Sequence, residues 1–199
     1  MESKSIEQNV IRLNKPDMER NESLMCALAS RKSTRSFNNK PLEMQDLSDL
    51  LWATNGINRP DSKGHTASNS LGKQEVAIYA STPQGTCLYC PNEHSLIPVT
   101  ETNLIPALAG GQEYVLNAPV ILLLVADVSV FDKMPEPMRS TLAPLDTGIV
   151  SQNIALFCAA NCLDTVARGT MNYEVLKAEL KLKDTDCLLL NHPVGYSNI

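Results

Sequence analysis

Arg31-Lys32-Ser33-Thr34-Arg35-Ser36-Phe37 packs three cations and three hydroxyls into seven residues and closes on an aromatic ring. A phosphate group is held by this mixture: fixed cations balance its charge and hydroxyls take up its remaining lone pairs. The same composition also suits a solvated basic turn at a helix end, where cations favour the C-terminal dipole. The rest of the chain is acidic, with a net charge of −5 and a pI near 5.2, which argues against nucleic acid or an anionic membrane as the main partner. Against that background the local cation cluster points to a small anion.

On the N-terminal side, Leu24, Met25, Ala27 and Leu28 have the spacing of one apolar helical face, with Asn21 placed to cap it. On the other side, Pro41 is expected to open a second helix carrying Met44, Leu47, Leu50 and Leu51, and Asn55-Gly56 to stop it. Residues 58–72 are polar and rich in turn formers, a length that in a compact domain is functional or disordered. Residues 76–80 read as a strand, Pro83-Gln84-Gly85 as a turn and 86–90 as the hairpin partner. Residues 99–111 read as irregular or partly helical. The uniformly apolar run 120–126 is the pattern of a central strand covered on both faces. Pro135 and Pro137 are expected to break the next segment. Residues 145–161 form the longest helical candidate, with Ile149, Ile154, Leu156 and Phe157 on most sides, so it is expected to be buried or to form an interface. A strand at 165–167, a helix at 173–180 and a last strand at 187–190 complete an α+β architecture of helices on a mixed central sheet. Residues 1–20, polar and extended with Pro16 barring a helix, are an N-terminal extension, and 21–199 are the domain.

The 199 residues suffice for one domain with a real core, and 43% apolar with 20% charged residues is ordinary globular composition. The first eight residues lack the apolar core of a signal peptide, and the run 120–126 is too short to span a bilayer. Six scattered cysteines fit reduced thiols, and the expected location is the cytoplasm. Cys87-Leu88-Tyr89-Cys90 lacks a second pair for zinc, and in a strand its two thiols point to opposite faces, so it reads as sheet structure rather than a metal or dithiol site. Cys158 and Cys162, four apart on the long helix, read as small core residues. His65, His94 and His192 lie far apart in sequence, and Ser33 and Ser151 have no Gly-x-Ser-x-Gly context. No P-loop lysine follows Gly110-Gly111, and no Gly-x-Gly-x-x-Gly is present. Such a chain suits chemistry carried by a bound cofactor.

In order, these pieces resemble the nitroreductase-like family of FMN-dependent NAD(P)H oxidoreductases, from about residue 24 onward. The Arg-basic-Ser-x-basic-x-Phe run is 31–37. Leu47-Ser48-Asp49-Leu50-Leu51-Trp52-Ala53-Thr54-Asn55-Gly56 resembles the family's next helix and its end. His65-Thr66-Ala67-Ser68-Asn69-Ser70-Leu71-Gly72-Lys73-Gln74-Glu75 falls where the family has a Thr-Ala-Pro-Ser-Ala-x-Asn loop, with Ser68-Asn69-Ser70 and Gly72 as departures. Asp146-Thr147-Gly148 with Gln152-Asn153 resembles the long interface helix, Thr165-Val166-Ala167-Arg168-Gly169 the segment beside the flavin, and Pro193-Val194-Gly195-Tyr196 the ending.

The resemblance implies an intertwined homodimer with two FMN molecules at its interface, each touched by both protomers. Arg31, Lys32, Ser33 and Arg35 would hold the phosphate, the ribityl chain and the pyrimidine edge. Ser68, Asn69, Ser70 and Gly72 of the other protomer would line ring and ribityl, and the backbone at Ala167, Arg168 and Gly169 would face N5. Arg35 is the catalytic candidate, as electrostatic support for the negative charge of the reduced ring. The implied reaction passes hydride from NADH or NADPH through FMN to an electron-poor acceptor such as a nitroaromatic or a quinone, with no metal. Two alternatives stand beside it: a flavin-dependent dehydrogenase of a peptide or small metabolite, and a flavin-binding or storage protein with little turnover, suggested by the altered 68–72 loop. One compact cation cluster without a dinucleotide fingerprint favours FMN over FAD.

Overall fold

The computed structural model describes residues 10–20, 22–38 and 40–197. Its framework is a seven-stranded sheet in which β7, Val120–Asp127, is an inner strand. β7 lies between β4 (Val76–Thr82) and β9 (Asp186–Tyr196). Outside β4 come β5 (Gly85–Cys90), β6 (Ser95–Thr100) and the edge strand β1 (Ile11–Arg12); outside β9 comes β8 (Leu163–Thr165). A separate hairpin pairs β2 (Ile57–Arg59) with β3 (Gly64–His65).

The α+β class holds. Every described pairing is antiparallel where a mixed sheet was expected. The crossover from β7 to β8 leaves those two strands parallel in direction, but β9 inserts between them and runs against both.

The apolar run of β7 shows no alternation because both of its faces are covered. Leu122 and Leu124 pack with Leu50 and Leu51 of α2 (Met44–Asn55) and with Val150 and Ile154 of α4 (Glu136–Ala160). Ile121, Leu123 and Val125 pack on the other face with Leu108 of α3 (Ile105–Ala109) and Leu176 of α5 (Tyr173–Glu179). Each such leucine or isoleucine, fully buried, contributes about 1.5–3 kcal/mol of transfer free energy.

Several boundaries differ from the sequence expectation. The expected cap Asn21 lies outside the described residues; the Ser23 side chain caps α1 (Leu24–Ser30), accepting from the Cys26 N–H. Of the expected apolar face of α1 only Ala27 is buried, and Leu24, Met25 and Leu28 face solvent. Pro41 does not open α2, which begins three residues later after Glu43 and ends at Asn55 before Gly56. The region expected to be irregular or partly helical, 99–111, begins with the last two residues of β6 and contains α3; Pro98 of β6 sits where β1 has already ended, so its missing N–H costs no ladder bond. Pro135 and Pro137 start α4 rather than break the chain, since the first helical turn has no use for their N–H groups. The strand expected at 165–167 is β8, two residues earlier. Cys158 is core, but Cys162 is exposed in a left-handed turn beyond the helix.

Residues 10–20 pack against the sheet and α2. Besides the β1–β6 pairing, the Arg20 guanidinium bridges Asp46 and Asp49 of α2, both at 2.6 Å. No described helix is long and apolar enough to cross a membrane.

Candidate functional site

The 31–37 stretch leaves α1 extended and runs along the edge of the sheet. Its backbone is pinned at two points: the Thr34 N–H donates to the Thr165 carbonyl of β8 at 3.0 Å, and the Asn38 N–H donates to the Tyr196 carbonyl at 3.1 Å. Phe37 is buried and stacks against Tyr114, anchoring the far end. Arg31, Lys32, Ser33 and Arg35 remain exposed, and among the described residues no carboxylate pairs with Arg31, Lys32 or Arg35. Thr34 Oγ1 is buried beside them without a hydrogen-bond partner. A fixed backbone with free cations and an unsatisfied hydroxyl is a cradle for an anion.

Lys32 also lines a cleft of about 230 Å³ with Ser30, Cys158, Cys162, Asp164 and Thr165. Small-molecule sites are usually about 300–1,000 Å³, so this cleft within one chain is undersized for a cofactor.

The second group of sequence-derived candidates sits elsewhere. Ser68, Asn69 and Gly72 line a cleft of about 400 Å³ with Arg59, Lys63 and His65. Ser70 turns away from it: its N–H and Oγ both donate to the Asp146 carboxylate of α4, at 2.7 and 3.0 Å. Leu71 adopts a left-handed φ of 57°, which costs a non-glycine residue about 1–2 kcal/mol, and Gly72 follows at 69°. The His65 Nδ1–H donates to the Asn55 carbonyl at 2.8 Å, and burial lowers its pKa, so the ring is neutral. The two candidate groups lie at different heights along α4. Ser70 binds Asp146, whereas Ser30, at the start of the cation stretch, reaches the Ala159 carbonyl; thirteen residues of helix separate them by about 20 Å. One chain does not bring them together.

The third group, Ala167 to Gly169, lies beside the cation stretch through the Thr34–Thr165 bond. Ala167 and Gly169 are exposed and Arg168 is buried between them, as extended alternation requires. The Arg168 backbone exchanges both hydrogen bonds with Asn191, so its N–H is not free. Its guanidinium donates to the Leu108 and Ala109 carbonyls at 3.0 and 2.7 Å, capping the end of α3, and also reaches Asn191 Oδ1 and Gln112 Oε1. Burial lowers its pKa, but four acceptors and the Tyr114 ring hold the cation in place.

Beneath this segment is an arrangement that sequence spacing does not reveal. His192, fully buried, lies between Ser151 Oγ at 2.7 Å from Nε2 and Thr165 Oγ1 at 3.2 Å from Nδ1. The Thr165 hydroxyl donates its one proton to the Pro193 carbonyl, so it accepts from Nδ1–H, and Nε2 accepts from Ser151. Burial pushes the imidazole down to about 4, leaving it neutral. A sealed, satisfied triad is a structural brace and not a nucleophile. Cys87 and Cys90 are free thiols in β5, and burial raises the Cys87 pKa.

Two helix faces are left uncovered. Leu145, Gly148, Ile149 and Gln152 form one exposed strip of α4, and Leu24, Met25 and Leu28 of the neighbouring α1 extend the apolar surface.

A sequence model of the nitroreductase family matches residues 28–196. A protein of Methanocaldococcus jannaschii that bears the name nitroreductase is 26% identical over 178 residues, covering 84% of this chain and 88% of its own. A crystal structure from Ralstonia eutropha, also named a nitroreductase, is 32% identical with a TM-score of 0.90 and covers 98% of this chain and 92% of that one. The NADPH:FMN oxidoreductase of Vibrio harveyi, crystallised with NAD+, shares the fold at 19% identity and a TM-score of 0.65, over 88% of this chain and 69% of its own. With a matched segment running from α1 to the end of β9, the chain belongs to the nitroreductase family and is by that membership a flavin-dependent oxidoreductase in general class.

Proposed function

We propose that the protein is an FMN-dependent NAD(P)H oxidoreductase of nitroreductase type, acting as a homodimer on an electron-poor acceptor such as a nitroaromatic or quinone. The observation that carries this reading is the 31–35 stretch: a backbone tied to the sheet, three cations without carboxylate partners among the described residues and the orphaned Thr34 hydroxyl in an acidic protein. Those residues fit a terminal phosphate and a polyol chain. Arg31, Lys32 and Ser33 would hold the phosphate end, and Arg35 would supply positive charge toward the pyrimidine edge. Bound FMN supplies the two-electron chemistry, a hydride taken from NADH or NADPH and handed to the acceptor.

The undersized cleft and the 20 Å gap along α4 support a site completed by a second copy. The uncovered apolar strip of α4 and α1 supplies a surface for that copy. Ser68, Asn69 and Gly72 of one protomer would then meet the cation stretch of the other, with the exposed Ala167 and Gly169 facing the flavin beside it.

The test is the visible spectrum of the purified protein before and after NADH or NADPH, with mass spectrometry of the released cofactor. Released FMN, bleaching by a nicotinamide and reoxidation by a quinone are the expected results. Recovery of FAD, or no flavin after reconstitution, refutes the reading; FMN that bleaches slowly with every donor favours a storage protein.

A further inference from the structure

Glu75 stands at the foot of β4, between the strand and the 68–72 loop, and only 3% of it is exposed. Apart from its own backbone N–H, no donor among the described residues reaches its carboxyl oxygens. The side chain it meets is another carboxyl, that of Asp146 in α4. Asp146 is equally buried and already accepts two hydrogen bonds from Ser70. Two buried carboxylates in contact repel, whereas one proton between them makes a short, strong hydrogen bond. Asp146, which already accepts two hydrogen bonds from Ser70, is the acceptor of the pair. Glu75, reached only by its own backbone N–H, carries the proton and donates it to Asp146. Burial and the Asp146 charge together push the Glu75 carboxyl up to about 8 from an ordinary value of 4.5.

Other charges nearby are engaged or distant. From β7, the Asp127 N–H donates to the Glu75 carbonyl, but its carboxylate is turned to the Ser129 N–H and the Lys183 ammonium. Lys73, in the connecting loop, is exposed and makes no ion pair among the described residues. From α4 only Asp146 acts on Glu75.

We propose that Glu75 and Asp146 form a proton-dependent latch on the 68–72 loop. With the proton in place, Asp146 is held against β4 and anchors the strained turn through Ser70. When the proton leaves to solvent, the two carboxylates repel and Ser70 is released. The sign follows from linkage: a carboxyl whose pKa is raised in the latched state stabilises that state fully below about 4.5, and the stabilisation is lost as pH rises toward about 8. Loop opening therefore grows by up to about tenfold per pH unit across that window and levels off above it. The consequence for flavin rests on the proposed function above; the latch does not.

Hydrogen exchange of the full-length protein, corrected for the intrinsic rate, tests it from pH 5 to 9, with the Ser70 amide as direct reporter. In the wild type, opening of 66–74 is expected to rise up to pH 8 and then plateau. In Glu75→Gln, whose amide donates to Asp146 at every pH, the profile is expected to be flat. A flat wild-type profile, or the same slope in both proteins, overturns the latch. Infrared spectroscopy of the wild type gives a check that needs no variant: a protonated-carboxyl band at pH 6 that is gone by pH 9.5, and its absence at pH 6 overturns the proposal. Titration with FMN over the same window separates the two readings. Exchange that follows the proton while FMN affinity does not keeps the latch and removes this loop from the flavin site. FMN affinity that changes without proton-dependent exchange overturns the latch.

Discussion

Protonating His192 should cost the fold much of its stability between pH 6.5 and 4. In the folded protein the imidazole is sealed between Ser151 and Thr165 and is neutral down to about pH 4; in the unfolded chain it takes a proton near its ordinary value of 6.5. Between those values the unfolded state binds a proton that the folded state refuses. The stabilisation is complete above 6.5 and is lost as pH falls to 4. At 1.36 kcal/mol per pH unit the gap corresponds to about 3 kcal/mol, a large share of a typical 5–15 kcal/mol. Glu75 works in the opposite direction between 4.5 and 8, so the raw pH profile mixes the two groups. The useful quantity is the difference between wild type and His192→Gln, measured by urea unfolding at pH 7.5 and 4.2. His192→Gln starts lower at pH 7.5, and the deficit should shrink by about 3 kcal/mol at pH 4.2. Parallel stability curves for the two proteins would show that the buried ring titrates normally, and the assignment of a neutral Nδ1–H tautomer would fall. The effect also bears on the site, because Thr165, which accepts from His192, is the residue whose carbonyl pins Thr34.

Arg31→Ala should weaken FMN binding by about 1.5–3 kcal/mol, roughly 10- to 150-fold, with little change in turnover at saturation. Arg35→Ala should bind oxidised FMN tolerably but lower its midpoint potential and slow reduction; equal affinity losses with an unchanged potential would remove the electronic role of Arg35. Arg168→Met strands the two carbonyls at the end of α3 and should cost about 2–4 kcal/mol in urea unfolding, with Arg168→Lys recovering part; an unchanged midpoint would show that the buried guanidinium contributes nothing net. Ile149→Asp, in the uncovered strip of α4, should shift sedimentation from dimer to monomer and release FMN together. A wild-type monomer that retains FMN would refute the shared-site arrangement.

Much of the scaffold is local in origin and was legible as such. The unbroken apolar run of β7 announces a strand covered on both faces, Asn55-Gly56 ends α2 where expected, and the cations of 31–35 stand out because the chain as a whole is acidic. The errors came where a residue's local preference is reversed by position. Pro135 and Pro137 break a helix interior but begin a helix, and Pro98 is harmful in a central strand but harmless where β1 has stopped. Cys162 has helical spacing from Cys158, yet the helix ends before reaching it. Among the candidate residues, the sequence marked Ser70 and Arg168 by resemblance, while the fold set what each one touches. Ser70 is tied to Asp146, 76 residues away, and His192 to Ser151, 41 residues away. The burial of the Arg168 side chain is set by α3 and β9, which close around it. Periodicity and composition report which residues prefer burial, because that preference belongs to the side chain itself. Which acid keeps its proton, which cation stays free and which histidine stays neutral depend on partners that only the closed chain brings within hydrogen-bond distance.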